Sequence, residues 1–464
     1  MNAVHRRRAI LFLALVALAG VVVLLARGGD DGPRRLSPGQ GDAGRTADPL
    51  AYDRDKREEF EQRAAAGLAH VLYVKSPGGA VATAERVARW RPLIDEVAAQ
   101  ADLDADTLEA MVFLESAGRP DARASDDPAA ATGLTQILAQ TATGLLGMKV
   151  DVEASRRLTR RIARARSDRQ RRRLEQQRAR VDERYDPRKA LQATARYLNF
   201  AKRHLGRDDL AVVSYHMGVG NLQRALDAYG ERDIPYAQLF FDSTPLRHAA
   251  AWRVLSSLGD DSSTYLWRVL AAKEIMRLHR EDPAELRRRA ELNAWSSGEL
   301  MLRPPEATER FEDDDSLNTS NLVLLDEAAL PPRQARLSRA LAAAPEGRRA
   351  LRPEAAALLR YLAAGVADIA GTGPLVVTAA ARSEEAERAD ARGASEAAPS
   401  THTTGYAFDI GRSYRSGRQA QAFQFWLDRL QALDLIAWER HADTIHITVG
   451  PRAEELVGPL LGKD

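Results

Sequence analysis

The segment DADTLEAMVFLESAG, residues 104–118, decides the fold of the first half of the chain. Asp104 can cap a helix that runs through Glu115, because a capping carboxylate accepts hydrogen bonds from free backbone N–H groups. Leu108, Met111 and Glu115 then occupy positions i, i+3 and i+7, which share one helix face. Burial raises the pKa of a glutamate, and a carboxyl protonated near neutral pH can act as a general acid. A glutamate at a helix end can equally reach solvent or cap a backbone group, so position alone leaves both interpretations open.

Helical patterns continue on both sides of this segment. From about residue 84 onward, apolar residues recur at intervals of three and four. Capping residues mark further helices. Asp186-Pro187 begins a second helix, which Gly206 ends. Asn221 caps a third helix, and residues 265–279 form a fourth. We therefore predict one all-α domain over residues 84–280.

An arginine-rich insertion interrupts this domain at residues 152–184. It carries twelve arginines between Arg156 and Arg180, against Asp168 and Glu175. The positive charge of these arginines can attract anionic wall polymers or lipid head groups. The segment is equally consistent with a solvated helical hairpin. The insertion has no aromatic residues on which bases could stack, so we do not expect nucleic-acid binding.

The composition limits the classes of protein to which this chain can belong. The 464 residues include 67 Lys and Arg, 65 Asp and Glu, and no cysteine. This length suggests two or three domains, and the balanced charge argues against a nucleic-acid-binding field. The content of 45% apolar and 28% charged residues excludes global disorder. Without cysteine, disulfides and thiol chemistry are excluded, and any metal must be held by histidine and carboxylate groups.

The N-terminus predicts export. Three arginines at positions 6–8 precede eighteen uncharged, mostly aliphatic residues, 9–26. Residues 1–27 are therefore either a signal peptide or a membrane anchor. We favour an uncleaved anchor, because the apolar run is near membrane-spanning length. The body would then lie in the cell envelope, outside the cytoplasmic membrane, after a stalk and lead-in at residues 28–83.

Motifs within the helical segment agree with one family. They are Glu115-Ser-Ala-Gly118, Ala124-Ser125, Gly133-Leu-Thr-Gln-Ile137, Asp186-Pro187 and Ser214-Tyr-His-Met-Gly-Val-Gly-Asn221. In order and spacing they resemble the soluble lytic transglycosylases, which have a lysozyme-like helical fold and cleave the glycan strands of peptidoglycan. The family's usual Met is Thr135 here and its usual Asn is His216, which puts subsite preference in doubt more than catalysis.

The resemblance implies that Glu115 is the sole acid/base. It protonates the glycosidic oxygen and then deprotonates the muramyl hydroxyl that closes an anhydro ring. One carboxylate suffices because the N-acetyl group of the substrate can serve as the internal nucleophile, and no cofactor is implied. The residues implied to bind the sugar strand are Ser125, Gln136, Tyr215, His216 and Asn221.

The C-terminal part predicts a small α+β domain at residues 346–464, after a connector at 281–345. Strands are predicted at residues 375–378, 406–410 and 445–449. Alternation along the last strand turns His446 away from the apolar side, and the same parity turns Asp409 away from Phe408 and Ile410. Two histidines and one carboxylate, here His402, His446 and Asp409, form the ligand set of a catalytic zinc site.

A second resemblance covers this part. The string Ser-x-His-x-x-Gly-x-Ala-x-Asp, residues 400–409, and a later Asp-x-x-His resemble the zinc D-Ala-D-Ala carboxypeptidases and their L-Ala-D-Glu endopeptidase relatives. The implied roles are zinc binding for His402, Asp409 and His446, the general base for Asp443, and peptide binding for Arg382 and Ser400. Glu439 is a rival base and His441 a rival ligand.

Together, the two parts predict a multidomain cell-wall hydrolase, with an all-α lysozyme-like domain followed by a small α+β zinc-peptidase-like domain. Its partners would be the glycan strands and peptide stems of peptidoglycan, and the membrane through the N-terminal segment. A binding or scaffold protein with a catalytically idle C-terminal domain is the alternative.

Overall fold

The computed structural model describes residues 48–295, 297–319, 321–327, 329–390 and 400–461. These residues form two compact units. The helical unit comprises Val71–Leu239 and Asp260–Ala290, and the sheet unit comprises residues 48–70, Phe240–Gly259 and the residues from Glu291 onward. The predicted domain boundaries stay predictions.

The predicted anchor, residues 1–27, and residues 28–47 of the predicted stalk and lead-in lie outside the described residues. Within the described ranges, none of the helices combines the length and the apolar character needed to span a bilayer.

The helical unit consists of helices and connecting loops. The helices that lie wholly or mostly in it are His70–Lys75, Gly79–Ala88, Arg91–Ala101, Ala105–Ser116, Ala139–Gly144, Val152–Ala163, Asp168–Val181, Pro187–Leu205, Asp208–Met217, Val219–Tyr229, Tyr236–Asp242, Tyr265–Glu281 and Pro283–Asn293.

Capping residues set several of these helix ends as predicted. Asp104 caps Ala105–Ser116 by accepting hydrogen bonds from the backbone N–H groups of the first turn. The helix Pro187–Leu205 runs from the Asp186 cap to Gly206, so this prediction is also confirmed.

The prediction that Asn221 caps a helix is wrong. The helix Val219–Tyr229 begins two residues earlier, with Gly218 at its N-cap. Asn221 lies in the first turn, and its side-chain amide donates a hydrogen bond to the Met217 carbonyl at 2.7 Å. Sequence pattern favours asparagine as a cap, but the backbone conformation available to Gly218, with φ of 82°, places the start earlier.

The arginine-rich segment forms two helices, Val152–Ala163 and Asp168–Val181, joined by a short turn. The two helices pack against each other, with Leu174 and Arg178 buried. Most of the other arginines are exposed. The structural part of the hairpin interpretation is therefore correct.

A buried ion pair holds the loop 128–137. Asp182 and Arg184 have fully buried side chains and are 2.9 Å apart. The guanidinium of Arg184 also donates hydrogen bonds to loop carbonyls, those of Pro128, Ala130 and Ile137. One arginine thus ties both ends of the loop that carries Gln136 to the interior.

The close approach of the loop also requires a glycine. Gly133 has φ of +84°, and a Cβ there would lie 1.9 Å from the Arg184 carbonyl oxygen. A side chain at this position would push the loop away from Arg184.

The described residues of the sheet unit form seven strands. They are β1 (Val323–Leu324), β2 (Ala335–Leu337), β3 (Ala350–Leu351), β4 (Leu375–Ala379), β5 (Ala407–Gly411), β6 (Ile436–Arg440) and β7 (Thr444–Val449). A five-stranded sheet has the order β2-β4-β5-β7-β6, and β1 pairs with β3. Strands β2 and β4 are parallel, and the other neighbours in this sheet are antiparallel.

The three predicted strands are confirmed as β4, β5 and β7. Strand β2 lies within the segment predicted as a connector, and β6 was not predicted. Strand β6 reads IAWER, whose charged end hides the alternation that marks a half-buried strand.

Helices complete the sheet unit. They are Arg57–Gly67, Ala249–Ser256, Glu299–Leu302, Asp314–Thr319, Arg339–Ala342, Pro353–Ala370, Glu384–Asp390, Gly417–Ala432 and Val457–Leu461. The two long helices, Pro353–Ala370 and Gly417–Ala432, pack closely at Gly365, where a Cβ would lie 2.4 Å from the ring of Trp426.

We predict that Asp182→Ala destabilises the helical unit by about 3–5 kcal/mol, because it leaves the buried Arg184 charge without its carboxylate. Urea unfolding followed by circular dichroism measures the loss, and hydrogen exchange of the amides in residues 128–137 locates it. The exposed Glu153→Ala is the control and should change stability by no more than about 0.5 kcal/mol. Equal stability of the two variants would contradict the role of the ion pair.

Candidate functional site

Glu115 lies at the end of the helix Ala105–Ser116. Leu108 and Met111, on the same helix face, are completely buried, as the sequence pattern predicts. The residue keeps partial contact with solvent, but protein atoms surround its carboxyl group. Burial raises the pKa of Glu115 to about 7, although the hydrogen bond from Tyr265 and the charge of Arg268 act to lower it. A large fraction of this carboxyl is therefore protonated at neutral pH.

Tyr265 is the direct partner of this carboxyl and was missed by the sequence analysis. Its hydroxyl donates a hydrogen bond to Glu115 Oε1 at 2.7 Å. Tyr265 is the first residue of the helix Tyr265–Glu281, 150 positions away from Glu115 in the chain. No local pattern connects the two residues, because only the folded chain brings them together.

His216 lies behind Tyr265. The two rings stack with centroids 5.3 Å apart and an interplanar angle of 27°. Nδ1 of His216 is 2.8 Å from the Ser262 hydroxyl, and its Nε2 is 3.7 Å from an Asp261 carboxylate oxygen. Asp261 also pairs with Arg268. His216 is thus linked to Glu115 through Tyr265, and its role at the sugar strand stays a prediction.

Tyr215, which also lies near Glu115, is held by hydrogen bonds within the protein. Its hydroxyl donates a hydrogen bond to the Thr135 carbonyl at 2.6 Å and lies 3.2 Å from Thr194 Oγ1. Burial, followed by the negative charge of Glu115, raises the pKa of Tyr215 above its usual value. Tyr215 is therefore neutral and fixed near Glu115.

The other predicted sugar-binding residues make contacts within the protein. Gln136 has φ of +50°, and its amide donates hydrogen bonds to the carbonyls of Gly133 at 2.8 Å and Ala122 at 3.2 Å. Ser125 is exposed and its hydroxyl accepts a hydrogen bond from the Asp127 backbone. Asn221 contacts its own helix, as described above. Substrate binding by these residues stays a prediction.

The sheet unit brings together the three predicted zinc ligands. His402 Nε2 is 3.2 Å from Asp409 Oδ1, and His446 Nδ1 is 2.9 Å from the same oxygen. The donor atoms of all three residues lie within 4.8 Å of one another. Asp409 on β5 and His446 on β7 are directly paired across the sheet, and His402 lies in the turn Thr401–Thr404 that precedes β5.

The outer nitrogens of the two histidines have different partners. His402 Nδ1 is 2.8 Å from the Ala380 carbonyl oxygen. Since a carbonyl only accepts, Nδ1 carries a proton, and Nε2 is the nitrogen that is left to bind a metal. His446 Nε2 is 3.1 Å from Glu299 Oε2, so its Nδ1 faces the cluster. Two imidazole nitrogens and one carboxylate oxygen converge, and this donor set fits zinc.

The charges of the cluster are coupled. Burial alone lowers the pKa of His446, but the hydrogen bonds to Asp409 and Glu299 outweigh it and raise the pKa to about 9. Burial alone raises the pKa of Asp409, but both histidines hold it well below its usual range. Asp409 is therefore ionised, whereas His446 has to lose its Nδ1 proton before it can bind a metal.

Both candidate bases lie near His446. Glu439 on β6 is the direct cross-strand partner of His446, so the two side chains emerge on the same face of the sheet. Asp443 is exposed at the turn before β7, and its backbone carbonyl accepts a hydrogen bond from Arg412 at 2.8 Å. The His441 ring, the rival ligand, lies 6.3 Å from the His446 ring. The geometry leaves the choice between Asp443 and Glu439 to experiment.

Arg382 and Ser400 meet at one carboxylate. A guanidinium nitrogen of Arg382 is 3.6 Å from Glu387 Oε1, and the Ser400 hydroxyl donates to the same oxygen at 3.0 Å. The backbone N–H of Arg382 also donates to the His402 carbonyl at 3.1 Å. These contacts place Arg382 beside a predicted ligand, and its peptide-binding role stays a prediction.

Glu299 is a further residue that the sequence analysis missed. It begins the short helix Glu299–Leu302, within the segment predicted as a connector. Burial would raise its pKa, but the hydrogen bond and charge of His446 lead the contacts that lower it below the usual value. The contact spans 147 positions of the chain, so no local pattern predicts it.

Comparison with known proteins supports the family resemblance of the helical unit. Residues 162–237 match the family model of the transglycosylase SLT domain. The match begins inside the arginine-rich segment, includes Tyr215, His216 and Asn221, and lies after Glu115 in the chain. No curated protein shows significant similarity to the chain. This segment of the chain is thus similar to a lysozyme-like SLT domain, and the match suggests lytic transglycosylase activity on peptidoglycan.

Proposed function

We propose that this protein is an exported peptidoglycan lyase that cleaves the MurNAc-GlcNAc bond without water and leaves anhydro-muramic ends, with Glu115 as the single acid/base. The observation that carries the proposal is the shielded Glu115 carboxyl, with a pKa of about 7 and a hydrogen bond from Tyr265. The SLT match adds the substrate class. Export rests on the sequence of residues 1–27 alone.

The reaction has two steps on one carboxyl group. Protonated Glu115 gives its proton to the glycosidic oxygen while the bond to the anomeric carbon breaks and the N-acetyl oxygen of the substrate attacks that carbon. The Glu115 carboxylate then takes the proton of a muramyl hydroxyl, whose oxygen displaces the N-acetyl oxygen and closes the anhydro ring. The second step restores protonated Glu115, so the cycle needs neither water nor a second carboxylate.

Tyr265 and burial favour opposite protonation states of Glu115. Its O–H donor stabilises the Glu115 carboxylate that forms after the first proton transfer, while burial favours the protonated acid before it. The two effects oppose each other and leave the pKa near neutrality, where one group can serve as acid and then as base.

We also propose a second, zinc-dependent activity of the sheet unit on the peptide stems. His402, Asp409 and His446 would hold the ion, as their convergent donor atoms indicate. Bound zinc would supply Lewis-acid polarisation of a carbonyl and a lowered pKa of bound water. Asp443, or Glu439 in its place, would accept a proton from the attacking water. Arg382 would bind a carboxylate or the oxyanion of the peptide.

We predict that Glu115→Gln lowers the release of anhydro-muropeptides from purified sacculi by at least about 100-fold, because an amide cannot carry the proton in either direction. Mass spectrometry of the products measures this loss. The control is the exposed Glu85→Gln, which should keep the wild-type rate. Release by the Glu115 variant within tenfold of wild type would refute the assigned role.

We expect the rate of glycan cleavage to fall as the pH rises through about 7, because the first step needs protonated Glu115. Tyr265→Phe removes a hydrogen bond that favours the carboxylate, so it should raise the pKa of Glu115 and shift this alkaline limb to higher pH. Profiles of kcat/KM against pH for both proteins measure the shift. An unchanged limb would show that Glu115 is not the group that titrates.

For the sheet unit we expect about one zinc ion per chain, and loss of that ion in His446→Ala, because two remaining ligands hold zinc weakly. Elemental analysis of the purified proteins measures the content. Chelation should stop peptide trimming and spare glycan cleavage, since Glu115 needs no metal. A chain that binds no zinc would remove the basis for the peptidase proposal.

The base is assigned by two further variants. Asp443→Asn should keep the zinc and lose peptide trimming, whereas Glu439→Gln should keep both. The reverse result would assign the base to Glu439. Stem trimming is measured by the mass of the muropeptides.

A further inference from the structure

We propose that Glu299 is a positioning residue for His446: it holds the imidazole with its proton on Nε2, so that Nδ1 faces the metal position. The inference rests on the proposed zinc site and adds a residue from outside its sequence motifs. It also explains why a buried carboxylate lies at the start of the short helix Glu299–Leu302, in a segment that has no other assigned role.

Glu299 and Asp409 contact opposite nitrogens of the same ring. Glu299 Oε2 is 3.1 Å from Nε2 of His446, whereas Asp409 Oδ1 is 2.9 Å from Nδ1. Asp409 and Nδ1 belong to the cluster whose donor atoms lie within 4.8 Å of one another, and Glu299 does not belong to it. Glu299 therefore contacts the nitrogen of His446 that faces away from the metal position, and it is not placed as a fourth ligand.

Two threonines hold the Glu299 carboxylate in place. Oε2 accepts a hydrogen bond from Thr401 Oγ1 and one from Thr448 Oγ1, each at 3.0 Å. The two hydroxyls are themselves 2.7 Å apart. A residue that is only 6% exposed needs such partners, because a buried carboxylate without them is costly. The carboxylate is thus a fixed acceptor for the His446 N–H.

The two histidines have matching arrangements through opposite nitrogens. The Ala380 carbonyl keeps a proton on Nδ1 of His402, and Glu299 keeps one on Nε2 of His446. A hydrogen-bonded outer partner orients a ligating imidazole, and a carboxylate also increases its basicity. Loss of such a partner typically weakens metal binding about 10–100-fold.

Zinc affinity of the full chain tests the proposal. Competition with a chromophoric chelator should give about 10–100-fold weaker Zn²⁺ binding for Glu299→Leu, and a smaller loss for the isosteric Glu299→Gln, whose amide oxygen can still accept the hydrogen bond. Glu454→Gln, an exposed carboxylate of the same unit, is the matched control and should bind zinc like wild type. Should the leucine variant fail to fold, the glutamine variant decides.

A spectroscopic readout separates positioning from a general structural role. In the zinc-loaded wild type, imidazole ¹⁵N NMR should show the His446 proton on Nε2 and the metal on Nδ1. In Glu299→Leu that single tautomer should be lost, while the melting temperature of the metal-free protein changes little. A variant with a lower melting temperature and an unchanged tautomer and affinity would overturn the proposal, because Glu299 would then be only structural.

The outcomes also separate this inference from the zinc proposal. If the wild-type chain binds no zinc, the metal site itself fails. If the wild type binds zinc and both Glu299 variants bind it equally well, only the positioning role fails. Zinc bound through Nε2 of His446 would likewise overturn it, since Glu299 would then share the metal instead of the proton.

Discussion

The structure depends on one constraint: a carboxylate shielded from water needs a partner, because burial of an unpaired charge costs several kcal/mol. Each shielded carboxylate described above meets this requirement differently. Asp182 has a buried arginine, Glu115 has a tyrosine, Asp409 has two histidines, and Glu299 has a histidine and two threonines. The partner in each case determines whether the carboxylate supports the fold or the chemistry.

A neutral donor and a cationic partner have opposite consequences for chemistry. Tyr265 brings no charge, so desolvation dominates and the Glu115 pKa rises to about 7, which suits a group that must give and take a proton. Histidines beside Asp409 reverse the balance and keep it ionised, which suits a ligand and excludes the role of a general acid. The neighbours of these two carboxylates thus shift their pKa values in opposite directions, as their different proposed roles require.

Local rules were sufficient for much of the fold and of the site. Asp104, Asp186 and Gly206 mark helix ends because capping acts over a few residues, and alternation placed Asp409 and His446 on the same side of adjacent strands. Tyr265 and Glu299 could not be found in this way, since their contacts cross 150 and 147 positions of the chain. Asn221 was misplaced because Gly218 provides an equally good start for the helix.

The two proposed activities should respond to different conditions. In the helical unit, the pKa of Glu115 is set by burial and by one hydrogen bond, so we expect the proposed glycan cleavage to follow pH and to be independent of metal. In the sheet unit, each of the two histidines has a hydrogen-bond partner on its outer nitrogen, the Ala380 carbonyl for His402 and Glu299 for His446. Partners of this kind orient metal-binding imidazoles, and for this reason we propose an active metal centre over an idle binding domain.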